Sequence, residues 1–372
     1  MNRAVLLTGH FPGQKRRPSF LWISDELQKL GWHVTFGTVG YSWLSRVFGD
    51  KRLAVLETPP RPGTHRLSER LTALFGYSPI HPLRTTLDPL LNPAHCLFPA
   101  YWASRLKAPL ARADLVLIES GAPVMLTPLA RRLAPQARLI YRVNDDIRLL
   151  NPPGLLIRAE QRYACLFDRI STPSPRLAQR FPHPKVTLDP MGIPREALAR
   201  PQPDPYEPRA QFEAVCAGTT QLDIPALLRI AQSRPNWRLH VLGRLKSTPP
   251  RLPNLFFHGE QSFDTTLAHI AHADIGLAPY VDRPGIEYQT TNSNRILLYR
   301  HFGLPILGPD RLCHPSLPAI IGYGQPGALD RCERRERRPE ALPDWSELAR
   351  RLAQNGETVP PELRLTSPAT VT

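Results

Sequence analysis

At 372 residues with 42% apolar side chains, the chain is too long for one ordinary small domain and apolar enough for two cores. Proline is heavy, at 43 residues, but it is scattered between apolar runs with no repeating tract, which excludes a collagen-like or wholly disordered chain. Forty-seven basic against 32 acidic residues leave a net charge of +15, so the surface attracts phosphate in some form: nucleic acid, anionic lipid or nucleotide.

In chain order, Ala4 to Thr8 reads as a buried strand, residues 9–17 as a Gly/Pro/basic loop, and Ser19 to Leu30 as a helix ended by Gly31. Trp32 to Thr38 then makes a second strand. Tyr41 to Pro109 mixes aromatic and basic residues and is expected to be an inserted, partly helical surface element. Strand Leu115–Glu119, a helix to Leu133 and strand Arg138–Arg142 resume the alternation expected of a doubly wound α/β domain. The run PQPDPYEP at 201–208, with four prolines in eight residues, is expected to be a linker between an N-terminal domain, 1–200, and a C-terminal one, 209–340. In the latter, strands at 214–217, 237–242, 255–258, 275–278 and 305–307 alternate with helices near 225–232, at 263–272 and near 293–301. A final helix at about 345–352 precedes a Pro/Thr-rich tail within 341–372 that is expected to be flexible.

Five cysteines without CxxC or Cys/His spacing argue against a disulfide scaffold or structural zinc. The N-terminus lacks a secretory pattern and no window reaches membrane-spanning length, so a soluble or surface-attached cytoplasmic protein is expected. The twelve histidines show no HExxH or equivalent spacing, and no metal is expected. The absence of GxGxxG, Walker and GxSxG patterns sets aside dehydrogenase, P-loop and serine hydrolase readings.

Functional residues of doubly wound sheets gather just after the strands. In YRVNDD, strand 139–142 runs into Asn144, Asp145 and Asp146, where a carboxylate can act as general base or simply cap a helix. Polar residues Gln289 to Asn294 lead straight into helical spacing, a place for a diphosphate or an ordinary N-cap. Arg295 stands in that helix's first turn, where a cation opposes the dipole and an anionic ligand would resolve the mismatch. Glu260 and the turn Gly218–Thr219–Thr220 also follow strands. The loop Gln14–Lys15–Arg16–Arg17, with Trp22, Trp43 and Phe48, suits either an acceptor phosphate at a membrane surface or a solvated basic patch.

Taken together, residues 41–53 (YSWLSRVFGDKRL), 119–124 (ESGAPV), 137–146 (ARLIYRVNDD), 259–260 (GE), 273–280 (ADIGLAPY) and 292–305 (NSNRILLYRHFGLP), after a first strand and loop bearing His10, Arg16 and Arg17, resemble the GumK glucuronosyltransferase family. That family consists of inverting enzymes of the GT-B fold, in which two Rossmann-like domains face each other across a cleft. The resemblance implies that Asp145 is the catalytic base. It implies that Thr220, Glu260, Tyr280, Asn292, Ser293, Asn294 and Arg295 hold the donor nucleotide sugar, and that His10, Arg16, Arg17, Trp43 and Arg46 serve the acceptor and the membrane. Arg295 stands where the family has a lysine, Thr220 where it has a methionine and Leu298 where it has a glutamine, departures that bear on the donor sugar.

The implied reaction moves glucuronate from UDP-glucuronate, without metal or other cofactor, to a polyprenyl-diphosphate-linked oligosaccharide in bacterial exopolysaccharide synthesis. The implied place is the inner face of the cell membrane, with an anionic lipid surface as partner and no nucleic acid. Retaining relatives of the fold carry two glutamates eight positions apart in this region, whereas here Glu287 is followed by Arg295, which favours inversion. The alternatives are a neutral hexose donor (UDP-glucose or GDP-mannose), a basic nucleic-acid-binding protein and a catalytically silent scaffold. No helix-turn-helix or RNP pattern supports the second of these.

Overall fold

The computed structural model describes residues 1–14, 17–47, 53, 61–82, 93–182, 184–245 and 250–354. The chain divides into two compact units, Met1–Pro190 joined by the segment from Trp345 onward, and Met191–Asp344.

The first unit is built on eight strands: β1 (Arg3–Thr8), β2 (His33–Thr38), β3 (Gly63–Arg66), β4 (Leu71–Phe75), β5 (Leu115–Glu119), β6 (Arg138–Arg142), β7 (Arg169–Thr172) and β8 (Val186–Leu188), in the order β3-β4-β2-β1-β5-β6-β7-β8. All neighbours are parallel except β3 and β4. Strands buried on both faces read as continuous apolar runs, and VLL of β1 and LVLI of β5 are of this kind. Strand order reverses between β2-β1 and β5, the point where open α/β sheets leave a crevice at their carboxyl ends.

Two expectations change here. The described parts of 41–109 are not a surface insertion. β4 pairs with β2 and extends the sheet, and helix Leu97–Ala111 presents Phe98, Trp102, Leu106 and Leu110 to the core. Phe75 and Tyr77 are buried as well, whereas Arg66 and Arg70 are exposed. β7 and β8 were not foreseen; they are short, and β8 is only half-buried.

The domain boundary also moves. Residues 201–208 are not a free tether: Tyr206 is buried in the second unit's core, its hydroxyl donating to the His269 carbonyl at 2.7 Å. The C-terminal helix Trp345–Ala353 belongs to the first unit, where Leu348, Ala349 and Leu352 are buried and it packs against the helix Ser19–Lys29, α1. Arg138 and Arg169, at the starts of β6 and β7, donate to the Leu352 and Arg351 carbonyls at 3.3 and 2.7 Å, placing cations at the helix's negative end. Residues 355–372 of the expected tail lie outside the described residues.

The second unit has six parallel strands: β9 (Phe212–Ala217), β10 (Trp237–Leu242), β11 (Leu255–Gly259), β12 (Ile275–Leu277), β13 (Ile306–Gly308) and β14 (Ile320–Gly322), in the order β11-β10-β9-β12-β13-β14. Alternate residues of β9 feed two cores, Ala214 and Cys216 one, Val215 the other. Helices α2 (Ile224–Ser233), α3 (Phe263–His272) and α4 (Asn294–His301) fall where the apolar spacing places them. Order reverses between β9 and β12. Gly276 in β12 is required by packing: a Cβ there would lie 2.5 Å from the Tyr299 ring of α4.

Candidate active site

In the first unit the segments following β1, β5 and β6 converge at the order reversal. Glu119 ends β5, is buried, and is surrounded by donors. Its Oε2 accepts from the Thr8 hydroxyl and from the Gly9 N–H at 3.4 Å, and its Oε1 accepts from Asn144 Nδ2 at 2.8 Å and lies 3.5 Å from His10 Nε2. Burial pushes Glu119 up, but His10, Thr8 and Asn144 outweigh it and hold the carboxyl below its ordinary value. Asn144 Nδ2 also donates to Ser19 Oγ at 2.8 Å, tying the turn after β6 to the first residue of α1. Glu119 was not foreseen as a site residue; a strand-ending glutamate has no spacing signature of its own.

The three residues after β6 have separate fates. Asn144 is committed to Glu119 and Ser19. Asp146 is buried and caps the 3-10 turn Ile147–Leu150, accepting the Arg148 N–H at 3.1 Å and the Arg148 guanidinium at 3.0 and 2.7 Å. Arg180, half-buried, reaches Asp146 at 3.2 Å and also pairs with Glu160. Burial raises Asp146, but the bond from Arg148 and the charges of Arg180 and Arg148 bring it below the ordinary carboxylate value. Asp145 stands between the two at the bend, half-buried at the carboxyl end of the sheet.

Of the residues expected to meet the acceptor, His10 joins the Glu119 network. Arg17 is turned to its own helix, paired with Asp25 and lying 4.1 Å over the Trp22 ring. Trp43 is 51% exposed beside Tyr77, and Val47, one turn on in the same short helix, is 75% exposed. Arg16 and the side chain of Arg46 lie outside the described residues.

In the second unit the corresponding place gathers Gly218 after β9, Tyr280 after β12 and the head of α4. Tyr299 fastens α4 to the sheet, donating to the Val215 carbonyl at 2.8 Å and accepting the Ala217 N–H at 2.9 Å. One turn earlier on the same face is Arg295, 94% removed from solvent, with its guanidinium 4.6 Å from the Tyr280 ring centroid and 3.6 Å from Cys216 Sγ. Gly218, at φ +107°, brings its backbone so close that a Cβ would stand 3.5 Å from Arg295 Nη2.

No carboxylate among the described residues pairs with Arg295. Burial pushes the Cys216 thiol up against the pull of Arg295, so the thiol is no counter-anion at neutral pH. Tyr280 donates to Ser293 Oγ at 2.5 Å, and Ser293, although it stands at the N-cap, makes no side-chain capping bond to the helix. Thr220, Asn294 and Glu260 are exposed around this position in the chain, and Leu298 is packed in the core. The side chain of Asn292 lies outside the described residues.

Two Rossmann-like units on one chain, each with its candidate residues at the reversal of strand order, constitute the GT-B class expected from the sequence. Solved structures share the fold over 95% of the chain. The N-terminal domain of Candida albicans trehalose-6-phosphate phosphatase matches with a TM-score of 0.58 at 12% identity over 92% of its length. The Burkholderia multivorans α,α-trehalose 6-phosphate synthase matches at 0.53 and 11% over 92%, and an E. coli protein bound with UDP-2-fluoro glucose at 0.55 and 12% over 94%. These likenesses speak to fold alone.

By sequence the chain is similar to a more particular group: residues 6–173 match the family described as glucuronosyltransferase GumK, N-terminal domain. It is 27% identical, over 88% of its own length and 81% of the relative's, to the UDP-glucuronate:glycolipid 2-beta-glucuronosyltransferase of Xanthomonas campestris pv. campestris.

Proposed function

We propose that this chain is an inverting glucuronosyltransferase that transfers glucuronate from UDP-glucuronate to a hydroxyl of a glycolipid. The observation that carries the reading is Arg295, a buried cation with no acidic partner among the described residues, at the head of a helix and against a glycine backbone. Leaving a charge buried and unpaired costs several kcal/mol, on the order of 3–5 by the usual measure, and a diphosphate or uronate carboxylate removes that cost. The name of the Xanthomonas relative supports UDP-glucuronate as donor and a glycolipid as acceptor.

In this reading Asp145 takes the proton of the acceptor hydroxyl as its oxygen attacks the anomeric carbon. The bond to UDP breaks on the opposite side, and the configuration inverts. Asn144 and Asp146 hold the bend in place, and their own partners keep them out of the proton transfer. Charge developing on the departing diphosphate is met by Arg295 and by the backbone N–H groups at the start of α4, fixed dipoles that need no reorganisation during the reaction. Tyr280, Ser293 and Glu260 position the nucleotide. Trp43 and Val47 rest the first unit on the lipid surface of the acceptor. This is attachment rather than insertion, since no helix among the described residues is long and apolar enough to cross a membrane.

The test is a binding competition among UDP-glucuronate, UDP-glucose and GDP-mannose, followed by transfer to membrane-extracted glycolipid. Preference for UDP-glucuronate with incorporation into lipid is expected. Equal or better binding of a neutral hexose donor would move the assignment to another sugar within the same fold.

A further inference from the structure

Three histidines far apart in sequence meet in the second unit. His240 lies on β10, His258 on the edge strand β11 and His269 on α3, the helix that follows β11. One ring nitrogen from each stands within 4.8 Å of the other two, and Nδ1 of His240 is 2.9 Å from Nε2 of His258.

The far nitrogens of two of the rings are already engaged. Nδ1–H of His269 donates to the Thr265 carbonyl at 2.8 Å, and because a carbonyl only accepts, this tautomer leaves the lone pair on Nε2. Nε2 of His240 is 2.9 Å from Glu213 Oε2, which directs the lone pair of Nδ1 toward His258. Glu213 is itself anchored: its other oxygen accepts the Ala210 N–H at 2.7 Å and Arg238 Nε at 3.0 Å. A carboxylate or carbonyl behind the ring is the arrangement that fixes the tautomer and orientation of metal-bound histidines.

We propose that His240, His258 and His269 form a binding site for a divalent late first-row cation, Zn²⁺, with the fourth position open to water. Three imidazoles without thiolate or carboxylate in the group suit such an ion better than Mg²⁺ or Ca²⁺. A tetrahedral ion bonded at about 2.0–2.1 Å holds its nitrogens roughly 3.3 Å apart. That separation falls between the 2.9 Å of the closest pair and the 4.8 Å limit for the group. His258 is half-buried on the edge strand and gives the ion its way in, while His240 and His269 are buried behind it.

The ion would join β10, β11 and α3 on the two sides of the turn that carries Glu260. Its role is structural, and its existence does not depend on the donor assignment.

The experiment uses the full-length, tag-free protein, stripped with EDTA and titrated with ZnCl₂ against a chromophoric chelator. Thermal unfolding is followed with and without the ion. The expected result is one tightly bound equivalent that raises the unfolding midpoint. Substitution His258→Ala, or His258→Gln should alanine fail to fold, removes both effects and weakens binding by more than the roughly 10–100-fold that loss of an outer partner costs. His65→Ala, an exposed histidine of the first unit, leaves both unchanged. Cobalt bound in place of zinc gives the intense visible absorption of a four-coordinate ion. No tight equivalent in the wild-type protein, or an equivalent that survives folded His258→Ala, overturns the proposal.

Discussion

The turn after β6 in the first unit and the head of α4 in the second both lie at the carboxyl end of a sheet whose strand order reverses, yet they handle charge in opposite ways. In the first unit, Glu119 and Asp146 are buried with their partners supplied by the chain: Thr8, Asn144 and His10 for one, Arg148 and Arg180 for the other. In the second, Arg295 is buried against a ring and a thiol with no acid in reach among the described residues. A charge whose partners come from its own chain holds shape, and one left without them is poised for a ligand. In the proposed function this contrast assigns Arg295 to the donor, and the engaged Asp146 to holding the turn.

The largest effect that could break this contrast is catalytic. Asp145→Asn is expected to lower kcat by about 10²–10⁴-fold, the usual contribution of a general base, with donor affinity unchanged. If Asp146→Asn did this and Asp145→Asn did not, the roles would be reversed.

Next in size, Asp146→Ala strips Arg180 of one partner and the 3-10 turn of its cap, so unfolding free energy should fall by about 3–5 kcal/mol in urea titrations. Acid sharpens the same point. Glu119, Asp146 and Asp189, the last buried and paired with Arg169 at 2.6 Å, are held below their unfolded values, so their contribution is complete above the ordinary carboxylate pKa, about 4, and disappears as pH falls through their folded values. Glu160, which burial holds above its ordinary value, opposes them, since the fold favours its protonated form and loses that benefit as pH rises. The wild-type urea midpoint should therefore drop steeply below about pH 4, and less so in Asp146→Ala.

Arg295→Gln should cost about 1.5–3 kcal/mol of donor binding, roughly 10–150-fold in Kd. Loss for UDP and UDP-glucuronate alike places the guanidinium on the diphosphate, whereas loss confined to UDP-glucuronate places it on the uronate carboxylate. Smallest is the surface effect: replacing Trp43 and Val47 together with serine should reduce sedimentation with anionic vesicles by a few-fold, while transfer to a detergent-dispersed acceptor is preserved.

Much of this was legible in the sequence because buried parallel strands announce themselves. Arg138–Arg142, Trp237–Leu242 and Phe263–His272 have the same limits in sequence and structure, since continuous apolar runs and helical spacing leave few other ways to bury them. The edge of the first sheet was obscure for the opposite reason: Gly63–Arg66 is wholly exposed, so no alternation of burial marks its sequence GTHR. Arg295 was visible as a cation opposing a helix dipole, but the lack of an acid beside it among the described residues was not, because that depends on what β9 and β12 place around it. Glu119 and the three histidines belong to the same class, assembled from strands and a helix whose sequence separations carry no pattern.

The docking of helix Trp345–Ala353 on α1 means that the chain leaves its first unit at Pro190 and returns only at Trp345. On the ribosome the intervening stretch takes on the order of ten seconds to synthesise at roughly 5–20 residues per second. Until then, the flank of α1 against which that helix packs is left without it. A premature stop anywhere in the second unit would therefore release an N-terminal half with an uncovered apolar seam, so a truncated product is expected in the pellet and not as a soluble fragment.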